Sequence, residues 1–205
     1  MRVFDYKEVF WRGIGFRPVG RCVNIASGYD YRNGWLNVDY HNPNSDLDVD
    51  LFRFPWPLPD NSFDSLLMDN YLEHVPHILD GANGLFKTIG EVQRILKPWG
   101  QALIQVPHGV SRNALSNPAH FRFFVPSTLG FLWGIPWQRP TTQEYQATVG
   151  KRPLELVRYR VRRLWGWHRF NNLYHIPKYL GLSMDRWVGW RVEIAWLLKK
   201  PNSPI

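Results

Sequence analysis

Cys22-Val23-Asn24-Ile25-Ala26-Ser27-Gly28 is a short apolar run closing on a turn of small residues, and Trp35-Leu36-Asn37-Val38-Asp39 is a second run closing on an acid. Further on, Val49-Asp50-Leu51 carries another acid, and Leu58-Pro59-Asp60-Asn61-Ser62-Phe63-Asp64 precedes Asp69-Asn70-Tyr71-Leu72-Glu73-His74-Val75. Residues 81–97 predict a helix, because Leu85, Ile89, Val92 and Leu96 recur at intervals of three and four. Lys97-Pro98 ends it, since proline cannot continue a helix. Ala102-Leu103-Ile104-Gln105-Val106 then reads as a buried strand stopped by Pro107. Short apolar runs alternating with turns and a helix predict a mostly parallel sheet covered on both faces.

The flanks add less. Residues 1–19 predict an N-terminal helix or arm with Phe4, Val9 and Phe10 on its apolar stripe. A stub of helix is expected around 29–34, because Asp39 follows Gly28 by only 11 positions, too few for a full crossover helix. Residues 109–150 are rich in turn-forming types and predict a long loop with one helix at about 126–134. Leu154 to Arg162 alternates apolar and charged residues, as a half-buried strand does. Val192 to Leu198 supplies a plausible final strand.

The chain has 205 residues, enough for one α/β domain with a sizeable core. Its single cysteine, Cys22, excludes an internal disulfide and any multi-cysteine metal site, and fits a reducing compartment. The charged N-terminus does not read as a signal peptide, and no apolar run suits a membrane span, so a cytoplasmic protein is expected. Charge is lopsided. Residues 1–111 hold 10 Lys/Arg against 13 Asp/Glu, and residues 112–205 hold 15 against 4, with seven of the eleven tryptophans. Such a segment suits nucleic acid, an anionic surface or a phosphorylated small molecule. Arginine stems covering aromatic surface give the same composition.

The ordered signals between residues 20 and 110 resemble the class I S-adenosylmethionine-dependent methyltransferases, in particular the type 11 branch. The resemblance implies a Rossmann-like, seven-stranded, mostly parallel sheet with helices on both faces and an antiparallel last strand. It implies one domain over residues 1–205, with an arm at 1–20, a cofactor core at 21–108, and an acceptor lid and closing strands over 109–205. S-adenosyl-L-methionine would then be the cofactor. Contacts would come from Asn24, Ala26, Ser27 and Gly28 in the first turn, from Asp39 to the ribose, and from Asp50 and Leu51 to the adenine. Asp69 and Asn70 would add contacts after the fourth strand. Asp46 and Asp48 lie close enough to Asp50 that the adenine acid could be any of the three. The family's first turn is usually Gly-x-Gly, and its bend after the helix Lys-Pro-Gly-Gly. Ala26 and Trp99 depart from these.

Methyl transfer from a sulfonium depends chiefly on holding three atoms in line, and a base is needed only when the acceptor starts protonated. His108 directly follows an apolar strand, and His120-Phe121-Arg122-Phe123-Phe124-Val125-Pro126-Ser127-Thr128 resembles a segment of many type 11 members. His108 and His120 are candidate bases, and Arg122 a candidate anion holder. No histidine pair has helical metal-site spacing, so no metal is expected. A small-molecule or carbohydrate-like acceptor is the leading reading. A nucleic-acid methyltransferase and a non-catalytic binding module of the same fold are the alternatives.

Overall fold

A computed structural model describes residues 6–132, 143–147, 154–164 and 191–202. The strands are β1 (Cys22–Ile25), β2 (Leu36–Asp39), β3 (Leu47–Asp48), β4 (Phe63–Asp69), β5 (Ile78–Leu79), β6 (Ala82–Asn83), β7 (Leu96–Pro107), β8 (Glu155–Leu164) and β9 (Arg191–Lys199). Seven of them form one sheet in the order β3-β2-β1-β4-β7-β9-β8, and β5 with β6 makes a small antiparallel hairpin. β1 pairs in parallel with both β2 and β4, and β4 in parallel with β7. β9 runs antiparallel between β7 and β8. The expected fold class is what the chain adopts, with the two late strands forming the antiparallel closure.

Helix α1 (Tyr6–Ile14) covers one face of the sheet and α2 (Gly84–Ile95) the other. The division follows the period-two alternation of the central strands. Leu66, Met68, Ala102 and Ile104 pack with Ile89 and Val92 of α2, whereas Leu67 and Leu103 pack with Phe10, Trp11 and Ile14 of α1. Val9, expected on the apolar stripe of α1, is exposed, and Phe4 lies outside the described residues.

Several boundaries differ from the sequence reading. α2 starts three residues late, where the Asn83 side chain accepts the Leu85 N–H at 3.1 Å and caps the first turn. β7 begins at Leu96 instead of 102, because a register shift opposite Phe63 lets the strand carry Pro98 past the ladder. The helix expected at 126–134 is a 3-10 turn over Thr128–Leu132. The stub helix expected at 29–34 is absent, and those residues form turns. There Asn37 accepts the Arg32 N–H at 2.9 Å and donates to the Arg32 carbonyl at 3.0 Å. One buried amide side chain thus satisfies backbone groups that a helix would otherwise have to pair.

Trp99 adopts the left-handed conformation with φ 66, where a Cβ is crowded. Its N–H donates to the Lys200 carbonyl at 2.9 Å, and its exposed ring lies 4.4 Å from the Lys199 ammonium. The turn therefore carries a tryptophan in a backbone conformation that glycine adopts more readily.

At the amino edge of the sheet, Asp64 accepts the Lys97 ammonium at 2.7 Å and the Arg21 N–H at 2.8 Å. These bonds, the lysine's first, hold its carboxyl below the ordinary carboxylate range. A depressed native value means that the contribution to stability exists above the unfolded pKa of about 4 and fades as pH falls through the native one. Asp64→Asn should therefore lower the urea midpoint at pH 7, and the gap from the parent should shrink at pH 3. An equal gap at both pH values would contradict the assignment.

Candidate cofactor site

In an open α/β sheet, the crevice lies beyond the carboxyl ends of the strands, where the chain order reverses. Here the reversal falls between β1 and β4, since β2 continues outward from one side of β1 and β7 from the far side of β4. The predicted cofactor residues sit along this edge: Asn24 in β1, the 26–28 turn after it, Asp39 ending β2, Asp50 and Leu51 just past β3, and Asp69 with Asn70 at the end of β4.

The turn after β1 is built from two left-handed residues, Ala26 at φ 54 and Gly28 at φ 53. A side chain at Gly28 would meet nothing within 4 Å, so glycine is required there for conformation and the space before it is open to a ligand. Asp39 fixes the turn. Its Oδ2 accepts the Gly28 N–H at 2.7 Å and the Asn42 amide at 2.8 Å, and its Oδ1 accepts the Tyr40 N–H at 2.9 Å. The Asn42 amide also donates to the Gly28 carbonyl at 2.6 Å. A carboxylate offers about four acceptor positions, so room remains for one further donor.

Asp46, Asp48 and Asp50 separate cleanly. Asp46 accepts the Asn37 N–H at 2.7 Å and the Tyr31 hydroxyl at 3.0 Å, which ties it to the β1–β2 loop. Asp48 pairs with His41 at 3.2 Å on the exposed surface. Asp50 caps its own turn through the Phe52 N–H at 3.0 Å and meets Arg53 at 3.1 Å. The adjacent Leu51 carbonyl accepts both the Trp56 indole and the Tyr71 hydroxyl at 3.0 Å, which settles Tyr71 as a core residue.

Asn24 is buried and donates to the Asp30 carbonyl at 2.7 Å, so it shapes the turn from behind. Asp69 accepts the Asn70 and Gln105 side chains, each at 2.9 Å. The Asn70 side-chain oxygen is buried with no hydrogen-bond partner among the described residues, and its backbone is left-handed at φ 56. The open space before Gly28, the remaining acceptor position on Asp39 and this orphaned amide oxygen together fit a polar adenosyl ligand.

The candidate catalytic residues fare differently. His108 stands at the end of β7, where it was expected, and its N–H donates to the Val192 carbonyl at 2.8 Å. Its Nδ1 accepts the Val110 N–H at 3.3 Å, and burial lowers its pKa. The neutral ring then carries its proton on Nε2, so it can orient an acceptor oxygen as a donor more readily than deprotonate it. Arg122 is turned inward. It donates to the Val75 and Pro76 carbonyls at 2.9 Å and to the His77 carbonyl at 3.2 Å, which gives it a structural clamp in place of the expected anion contact. His120 binds the Ala114 carbonyl at 3.0 Å through Nδ1 and stacks edge-on against His74 at 4.7 Å between centroids. The proposed lid falls partly outside the described residues, at 133–142, 148–153 and 165–190.

The sequence reading missed three contributors. Asn42 has no motif to mark it, although its position three residues after Asp39 suits a turn that folds back. Tyr40 is exposed and stacked on His41 beside Asp39. Glu73 is buried with an orphaned Oε2, and burial pushes its carboxyl up to about 8.

No family model matches the chain, and no curated protein matches it. Solved structures do. An S-adenosylmethionine-dependent methyltransferase of Archaeoglobus fulgidus superposes with a TM-score of 0.51 at 14% identity, covering 96% of this chain and 100% of that one. A protein of Bacillus halodurans C-125 assigned to the methyltransferases gives 0.56 at 11% identity, covering 97% and 99%. The cyclase SpnF gives 0.54 at 12% identity, covering 96% and 80%. The fold is therefore that of the class I S-adenosylmethionine-dependent methyltransferases, a scaffold on which more than one chemistry is carried out.

Two outcomes follow from this geometry. Ala26→Gly should relieve left-handed crowding and stabilise the chain by about 1 kcal/mol, read as a higher urea midpoint. Gln105→Leu should destabilise by about 3 kcal/mol, because Asp69 and Glu193 would each lose a buried donor. A neutral result at Gln105 would show that these acids find other partners.

Proposed function

We propose that the protein is an S-adenosylmethionine-dependent methyltransferase acting on a small-molecule or carbohydrate-like acceptor. The observation that carries this reading is the alignment of an open left-handed turn at Gly28 with Asp39 and Asp50, on three neighbouring strand ends. The order along the edge matches the order of methionyl, ribose and adenine groups in the cofactor. No helix among the described residues is long and apolar enough to cross a membrane. The same reading takes residues 1–205 as one unit, with 109–205 on the acceptor side.

The bound cofactor would supply an electrophilic methyl group on sulfonium, open to in-line displacement. The chain supplies position. The 26–28 turn brings bare backbone to the methionyl part, and Asp39 fixes that turn while offering its remaining lone pair to a ribose hydroxyl. Asp50 and the Leu51 N–H serve the adenine edge. His108 emerges at the mouth with Nε2–H available to orient the acceptor. Positioning of this kind removes much of the entropic barrier without a dedicated base.

Calorimetric titration of the purified chain with S-adenosylmethionine checks the reading. Micromolar binding is expected, weakened at least tenfold in Asp39→Ala and in Asp50→Ala. No heat up to millimolar ligand would overturn it. If binding is found, repeating it with RNA at rising salt separates the alternatives, because a nucleic-acid acceptor held by phosphates would lose affinity steeply.

A further inference from the structure

We propose that Glu73, His74 and His120 form a binding site for a divalent transition-metal ion. One ligand atom from each residue lies within 4.8 Å of the other two. Around an ion with bonds of about 2.0–2.2 Å, neighbouring donors sit roughly 3–3.5 Å apart, so a closing movement of about 1–1.5 Å completes the set.

The carboxylate supplies the driving force. Glu73 is only 2% exposed, and its Oε2 has no hydrogen-bond partner among the described residues. Asp69 and Glu193 add negative potential around it. A buried carboxylate in such surroundings is costly unless a proton or a cation compensates it. No Lys or Arg side chain pairs with it among the described residues.

The histidines are already oriented from behind. His74 holds the Ala119 carbonyl at 3.1 Å through Nδ1, and His120 holds the Ala114 carbonyl at 3.0 Å through Nδ1. Bonds of this kind fix the ring, and Nε2 is then the nitrogen left over for a metal. At His120, Nε2 now meets the Asn117 amide at 3.1 Å, and an ion would displace that contact. The two halves of the site are stapled to each other. The Glu73 carbonyl accepts the Phe121 N–H at 2.8 Å and the Arg122 N–H at 3.3 Å, while the Arg122 side chain grips the carbonyls of residues 75–77. The inward turn of Arg122 thus has a purpose in this arrangement.

Two imidazoles and one carboxylate suit zinc, cobalt or ferrous iron better than calcium or magnesium, which favour all-oxygen cages. Three protein ligands also leave at least one coordination position for water or another oxygen donor, as in zinc sites that are not purely structural. The proposal stands on this cluster alone and does not depend on the cofactor assignment.

The test uses the tag-free full chain, stripped with chelator and titrated with cobalt(II), followed by competition with zinc. One equivalent per chain is expected at micromolar affinity, with visible absorption bands that zinc abolishes. Glu73→Gln and His120→Ala should each weaken binding at least tenfold, while His77→Ala, an exposed neighbour, leaves it unchanged. Zinc should raise the melting temperature of the parent and not that of Glu73→Gln, which separates ion binding from simple misfolding. Binding well below one equivalent, or equal binding in parent and Glu73→Gln, would overturn the proposal.

Discussion

The side chain of Gln105 is the contact on which the carboxyl edge of the sheet depends. It is fully buried in β7, accepts the Trp11 indole at 2.9 Å and donates to Asp69 at 2.9 Å and Glu193 at 3.1 Å. Glu193 in turn pairs with Arg162 of β8. One neutral amide therefore links α1 to β4, β7, β9 and β8. It also gives each of the two acids a second donor, beside Asn70 on Asp69 and Arg162 on Glu193, in surroundings where low dielectric makes a lost donor costly. With that point fixed, the ends of β4 and β7 hold a constant spacing, and residues 69–74 leave the sheet in a defined direction.

The other half of the edge is organised without helices. Nothing but turns joins β1 to β2, and β2, β3 and β4 are joined by loops. Asn37, Asn42, Asp39 and Asp46 satisfy the backbone in their place, each making two or more side-chain hydrogen bonds. The economy in length has a chemical result. Asp39 accepts three hydrogen bonds that hold the 26–28 turn and its flank, so the shape of that turn rests on the same carboxylate that is proposed for the ribose.

Much of the fold was legible because periodicity reports burial. Leu85, Ile89, Val92 and Leu96 are all buried as their spacing requires. The late strands form where they were expected, but Val157, Tyr159 and Val161 of β8 are exposed and residues 192–198 of β9 are buried throughout. The strand ends were legible too: Gly28 is left-handed as a turn glycine should be, Asp39 ends β2, and Asp50 lies just past β3. Orientation was not. Arg122 and His108 looked like reactive groups, yet the guanidinium is turned inward by carbonyls 45–47 residues earlier, and the His108 Nδ1 is taken up by the Val110 N–H two residues on. The meeting of Glu73 with His120 is likewise a product of tertiary structure that no spacing rule encodes.

The place of β9 has a consequence for how the chain is made. It lies between β7 and β8, so the last strand among the described residues is an interior one. Until it arrives, β7 presents an unpaired edge with Leu103, Ile104 and Val106 along it. Such an edge is a template for pairing with other chains. A nascent chain held on the ribosome before residue 191 would expose that edge for the whole interval. The cell's chaperones then become part of what decides the yield of native protein, whatever the stability of the finished sheet.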